Sequence, residues 1–157
     1  MTAHALLAVH GVLGVVSVLA VTRDAIFAVL SASRGEVVTA QGAAIGASSA
    51  LRRLGWLGPA SVVAQFAVGL ALYPAYRVRV RALDFDRNAP LYSQLFDFKE
   101  HLAALSLALV VALAIASRGA DADRDARWPL AAVAASAALL IWTVAILGVC
   151  VTARHAV

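Results

Sequence analysis

The sequence has few means of cross-linking itself. It holds one cysteine, Cys150, and one methionine in 157 residues. A single thiol permits no internal disulfide, and Cys150, near the end of an apolar run, reads as a small buried residue. Charge is also scarce. Only 14% of residues are charged, against about 25% in a soluble domain. There is no Cys-x-x-Cys-His for covalent haem, no phosphate loop, no Gly-x-Ser-x-Gly and no His-Glu-x-x-His. Too little polar chain lies outside the apolar runs to build a nucleotide-binding domain. The net charge of +4 rests on loop residues, where it reports membrane topology rather than a nucleic-acid partner.

What the chain has is apolar length. Hydrophobic residues make up 62% of it, and the mean hydropathy is +0.86. Four runs stand out: 3–22, 54–76, 101–117 and 128–152. A helix needs about 20 apolar residues to cross a bilayer. Lipid offers no partner to backbone groups, and these runs lack the alternation of barrel strands, so each span is expected to be helical. No Lys or Arg precedes His10, which argues against a cleaved signal peptide.

The predicted fold is all-α, a single membrane domain forming an up-down-up-down bundle of four transmembrane helices over about 3–22, 57–76, 90–117 and 128–152. Residues 23–53 read as a loop with a possible short interfacial helix; Arg23-Asp24 marks the end of the first run, and 25–30, apolar again, is a candidate amphipathic extension of the first helix. Arg52, Arg53 and Trp56 mark one interface, and Tyr73 and Tyr76 the other. Pro74 is expected to kink or end the second helix. The alternation of Arg77, Arg79 and Arg81 with Val78 and Val80 suggests an extended exit, with a helical continuation the alternative. Asp84 to Asn88 reads as a polar turn, with Asn88 an N-cap and Pro90 in the first turn of the third helix. Leu91, Leu95, Phe98 and Leu102 recur at helical spacing. Asp121 to Arg127 reads as a charged turn.

In this topology both termini and the 77–99 connection share one side, called side A, with Arg77, Arg79, Arg81, Arg87, Lys99 and Arg154. Side B carries Arg23, Arg34, Arg52, Arg53, Arg118, Arg124 and Arg127. Six basic residues against seven do not fix an orientation; the denser cluster favours side A as cytoplasmic.

Ionisable residues inside a span are functional candidates. His10 and His101 lie in apolar helices that both start on side A, and their positions predict similar depth. Two imidazoles at one level of a bundle suit axial ligation of a haem b iron. Gly14, one turn from His10, would admit a flat macrocycle. Arg77, Arg79 and Arg81 would pair with haem propionates or anionic lipid. The alternatives are structural or proton-linked histidines, or a bare metal ion at His10 and His101. A metal would want a third ligand, and Glu100 diverges from His101 by about 100° around the helix. Lys99-Glu100 reads either as an ordinary interfacial charge pair or with Glu100 anchoring an arginine of the side-A connection; either way the 73–81 and 97–101 segments are expected to meet. Gln65 is expected to hydrogen-bond between helices, and Ser106, Ser136 and Thr143 to bond their own helices.

The run Tyr73-Pro74-Ala75-Tyr76-Arg77-Val78-Arg79-Val80-Arg81, followed by Leu95-Phe96-Asp97-Phe98-Lys99-Glu100-His101, resembles a poorly characterised family of bacterial four-helix integral membrane proteins. Its pattern has a Tyr-Pro-x-Tyr-Arg exit from the second helix, a Lys-Glu-His start to the third and a His-rich first helix. Members are similar in layout to small b-type cytochrome subunits. The resemblance implies the bacterial inner membrane and supports the His10–His101 pair. Where the family has further histidines, this chain has Arg23 and Val149, so a second, side-B cofactor is not expected.

These features predict a bis-histidine haem protein that passes electrons to a quinone or a redox partner subunit within the lipid bilayer; as an enzyme it would be an oxidoreductase membrane subunit. The alternatives are a cofactor-free accessory or assembly subunit of a larger membrane complex, and a small proton-coupled transporter.

Overall fold

A computed structural model describes residues 3–34, 56–119 and 127–156 of the chain. These residues are helical almost throughout and include no strand. Four long helices form the molecule: α1 (Ala3–Arg34), α2 (Leu57–Tyr76), α3 (Pro90–Gly119) and α4 (Arg127–Ala156). Each is long and apolar enough to cross a membrane, over His4–Leu30, Leu57–Asn88, Pro90–Ala116 and Trp128–Arg154. The fold is therefore the expected four-helix bundle of a multi-pass membrane protein. The loop expected after residue 34 and most of the charged turn before α4 lie outside the described residues.

Three boundaries differ from the sequence reading. α1 does not stop near Thr22 but runs through the candidate 25–30 extension to Arg34. The Arg23 and Asp24 charges that suggested an end neutralise each other, with Arg23 Nη2 2.6 Å from Asp24 Oδ1. α2 ends at Tyr76 as expected, with Pro74 near that end. Beyond Tyr76 the chain is not extended: Arg77–Phe85 forms a π-helix, followed by a helical turn, Asp86–Asn88. Asn88 does not cap α3 either; its amide donates to Asp84 Oδ1 at 3.1 Å. The reversal falls at Ala89, whose carbonyl accepts from the Tyr92 and Ser93 amides.

α1 packs along both α2 and α4, and α3 packs along α4, while α2 and α3 meet more sparsely. One core cluster joins Val18, Val21 and Ala25 of α1 to Val62, Val110 and the α4 residues Ala134, Ala137, Ala138 and Ile141. The alanines let α4 approach its neighbours closely, the usual basis of helix association where lipid is as apolar as the side chains. A second cluster, at the side-A end, gathers Val80, Phe85, Ala89, Phe96 and Val151, with Tyr73, Tyr76, Tyr92 and Leu95 around it. The outer faces are apolar; Leu139 is 70% exposed and Val149 68%, as lipid contact requires. Cys150 is exposed, not buried as expected, because it falls on that outer face of α4.

Candidate functional site

The seam between α1 and α2 is built from polar side chains set into glycines. A β-carbon on Gly69 would lie 3.2 Å from His10 Cε1 and 3.7 Å from Nδ1. One turn further along α1, a β-carbon on Gly14 would lie 3.1 Å from Gln65 Nε2. At the side-B end the Asp24 carboxylate occupies the space beside Gly58, in the first turn of α2. Trp56 provides no side-chain cap there, so Asp24 brings negative charge to an uncapped helix N-terminus. The register is antiparallel: four residues forward in α1, from His10 to Gly14, is four residues back in α2, from Gly69 to Gln65. Each helix thus contributes one long polar side chain and one glycine to receive its counterpart.

Two buried polar atoms in this seam have no hydrogen-bond partner among the described residues, His10 Nδ1 and Ser17 Oγ. They sit seven residues apart on the inner face of α1, roughly 10 Å along the axis. His10 faces the Gln65 backbone, and Lys99 is close enough for its charge to act on the ring.

The expected contact between the 73–81 and 97–101 segments is present, through different pairs. Arg81 Nη2 donates to Asp97 Oδ2 at 2.7 Å, and Arg81 Nε to Ser93 Oγ at 3.3 Å. The Ser93 hydroxyl in turn donates to Asp86. Tyr76 stacks on Phe96, with ring centroids 5.9 Å apart, and Lys99 Nζ lies 5.0 Å from the Phe96 centroid. Asp97, rather than Glu100, anchors the arginine. Glu100 instead accepts from the Tyr73 hydroxyl and pairs electrostatically with Lys99. Arg81 is thereby committed to the protein interior. Arg77 and Arg79 are exposed. Arg77 covers the Tyr73 ring and donates to its hydroxyl at 3.3 Å.

His101 lies elsewhere. It is exposed, on a continuous outward stripe of α3 with Gln94, Phe98, Leu105, Ala108 and Ala112, while Ser93, Phe96, Ser106 and Val110 form the buried face. Its Nδ1 is 2.7 Å from the Asp97 carbonyl oxygen. A carbonyl only accepts, so Nδ1 carries the proton and Nε2 is left facing away from its own helix. The structure therefore sets His10 inside the α1–α2 seam and His101 outside it. The Gly14 notch expected to admit a macrocycle is filled by Gln65, and Arg81, expected at a propionate, is spent on Asp97. As placed, these residues do not form a bis-axial haem site. No cluster of three metal-ligating side chains is present among the described residues.

Composition and spacing did not reveal three of the participants. Gly69 and Gly58 are small residues with no polar signal of their own, and Asp97 had no role of its own within the 97–101 segment. The four-residue step from Gln65 to Gly69, matching that from His10 to Gly14, is the pattern that pairs them. Ser106 and Thr143 bond the carbonyls of Leu102 and Leu139, at 2.7 and 2.8 Å, as expected for hydroxyls in apolar helices.

No family model, no curated protein and no solved structure matches the chain.

Proposed function

We propose that the chain is an accessory or assembly subunit of a larger complex in the bacterial inner membrane, which it joins through the outward face of α3. The observation that carries this reading is the direction of His101. Its ring is tied to the Asp97 carbonyl and turned outward beside Gln94 and Phe98. On one outward stripe with Phe98 and Leu105, the ring offers a neighbouring subunit a directional hydrogen-bonding group among apolar contacts. His10, in contrast, is used in internal packing against Gly69. Photo-crosslinking in native membranes tests the reading. A probe at Phe98 or Leu105 is expected to give a discrete protein adduct, and a probe at Val12 or Val15 of α1 to give lipid adducts only. Lipid adducts alone from all four positions would end it.

The second reading is bis-histidine haem b with electron transfer to a quinone or redox subunit. Two observations favour it. The Nδ1 bond of His101 to a backbone carbonyl is the support that metal-ligating histidines usually have, and His10 Nδ1 is buried without a partner. It requires α1 or α3 to turn about its axis so that both rings reach one space. A haem would supply the redox chemistry; the protein would orient it and set its electrostatics.

A further inference from the structure

The basic residues of the side-A connection divide into two groups. Arg81 is half-buried and held by Asp97, Ser93 and Asp86. Arg77 and Arg79 are exposed, and neither has a carboxylate within ion-pair distance among the described residues. The nearby acids are engaged elsewhere: Asp84 accepts from Asn88, Asp86 from Ser93, Asp97 from Arg81 and Glu100 from Tyr73. The two arginines therefore present uncompensated charge. Their level follows from α2. From Leu57 to Tyr76 it spans 20 residues, roughly 30 Å, about one hydrocarbon thickness. Tyr73 and Tyr76 fall at its edge, where aromatic belts sit. Arg77 and Arg79 come one and three residues later, at the height of lipid phosphates. Arg87 stands near the tip of the hairpin, well beyond that layer.

We propose that Arg77 and Arg79, two residues apart and so on different faces of the π-helix, each recruit an anionic phospholipid headgroup at the side-A edge of the bilayer. Guanidinium groups match phosphate oxygens with paired donors. The Tyr73 ring beneath Arg77 holds that guanidinium at the membrane edge, and an arginine whose charge no carboxylate cancels attracts an anionic headgroup over a zwitterionic one. The proposal rests on α2 being a membrane span and is independent of the α3 partner and of any haem.

The test uses the full chain reconstituted in vesicles of equimolar phosphatidylcholine and phosphatidylglycerol. Retained lipids are counted by native mass spectrometry. The native chain is expected to retain phosphatidylglycerol preferentially. The Arg77→Gln/Arg79→Gln variant should lose on the order of tenfold in that preference, as expected for two basic groups near a lipid surface. Arg77→Lys/Arg79→Lys should keep most of it, and Arg87→Gln all of it, which separates lost charge from a damaged fold. Equal retention of the two lipids by the native chain, or an unchanged preference in the double Gln variant, would overturn the proposal. So would displacement of phosphatidylglycerol by millimolar inorganic phosphate, which would assign a soluble-anion site instead.

Discussion

The ring of His10 stands 3.2 Å from the point that a β-carbon on Gly69 would occupy, so a side chain at residue 69 would press on the ring where α1 and α2 meet. The same arrangement, with the roles of the helices exchanged, joins Gln65 to Gly14. Gly69→Val is expected to force the ring aside and cost about 1–3 kcal/mol, the usual range for overpacking. Removing the ring with His10→Ala should relieve part of that cost in the double variant. By comparison, β-carbons on Gly11 and Gly148 meet nothing within 4 Å. Gly11→Ala and Gly148→Ala should therefore be neutral or slightly stabilising. Unfolding midpoints in a single detergent would measure all four.

Arg81 joins the π-helical end of the α2 rod to the first turns of α3, with Asp97 at 2.7 Å and Asp86 at 3.9 Å. A double-mutant cycle on Arg81 and Asp97 should return a coupling of about 1 kcal/mol, reduced from a fully buried pair because both side chains remain partly exposed. The same cycle on Arg81 and Asp86 should return less. Arg81→Lys should not restore the coupling, since an ammonium cannot reach Asp97 and Ser93 with the spread of a guanidinium.

How much of this could be read in advance depended on which physical signal each element gives. The ends of α2 were legible because Trp56 marks one interface and Tyr73 and Tyr76 the other. The continuation past Tyr76 was not. Arg–Val alternation looks extended, yet Val78 is exposed while Val80 is buried, where a strand would put both on one face. The Arg23-Asp24 pair looked like a helix end because the sequence gives two charges but not their mutual contact. For His101, sequence position gave depth and not azimuth. In a bilayer the apolar stripe of a helix faces lipid as readily as the core, so Leu91, Leu95, Phe98 and Leu102 could not say which side of α3 was inside.

On the side-B half, Trp142 Nε1 donates to Thr22 Oγ1 at 3.0 Å, joining α4 to α1. Thr22→Val should cost about 0.6 kcal/mol, the average for such bonds in membranes. It should also shift the Trp142 emission, which a Trp142→Phe control identifies among the three tryptophans.

The different surroundings of the two candidate imidazoles should be visible chemically. His101 is exposed and its Nε2 is free of its own helix, whereas His10 is packed between Gly69 and Gln65. In detergent, diethylpyrocarbonate should acylate His101 well before His10, as followed by peptide mass spectrometry. Gly69→Val, by displacing the His10 ring, should narrow the difference.

Haem titration of the purified full chain, followed by absorption spectroscopy, tests most directly whether His10 and His101 belong to one site. With the first ring inside the α1–α2 seam and the second on the outer stripe of α3, no stoichiometric Soret band should form, and His10→Ala and His101→Ala should leave the spectrum unchanged. A one-to-one band that shifts on dithionite reduction and disappears in both variants would contradict this account and restore the pair as axial ligands.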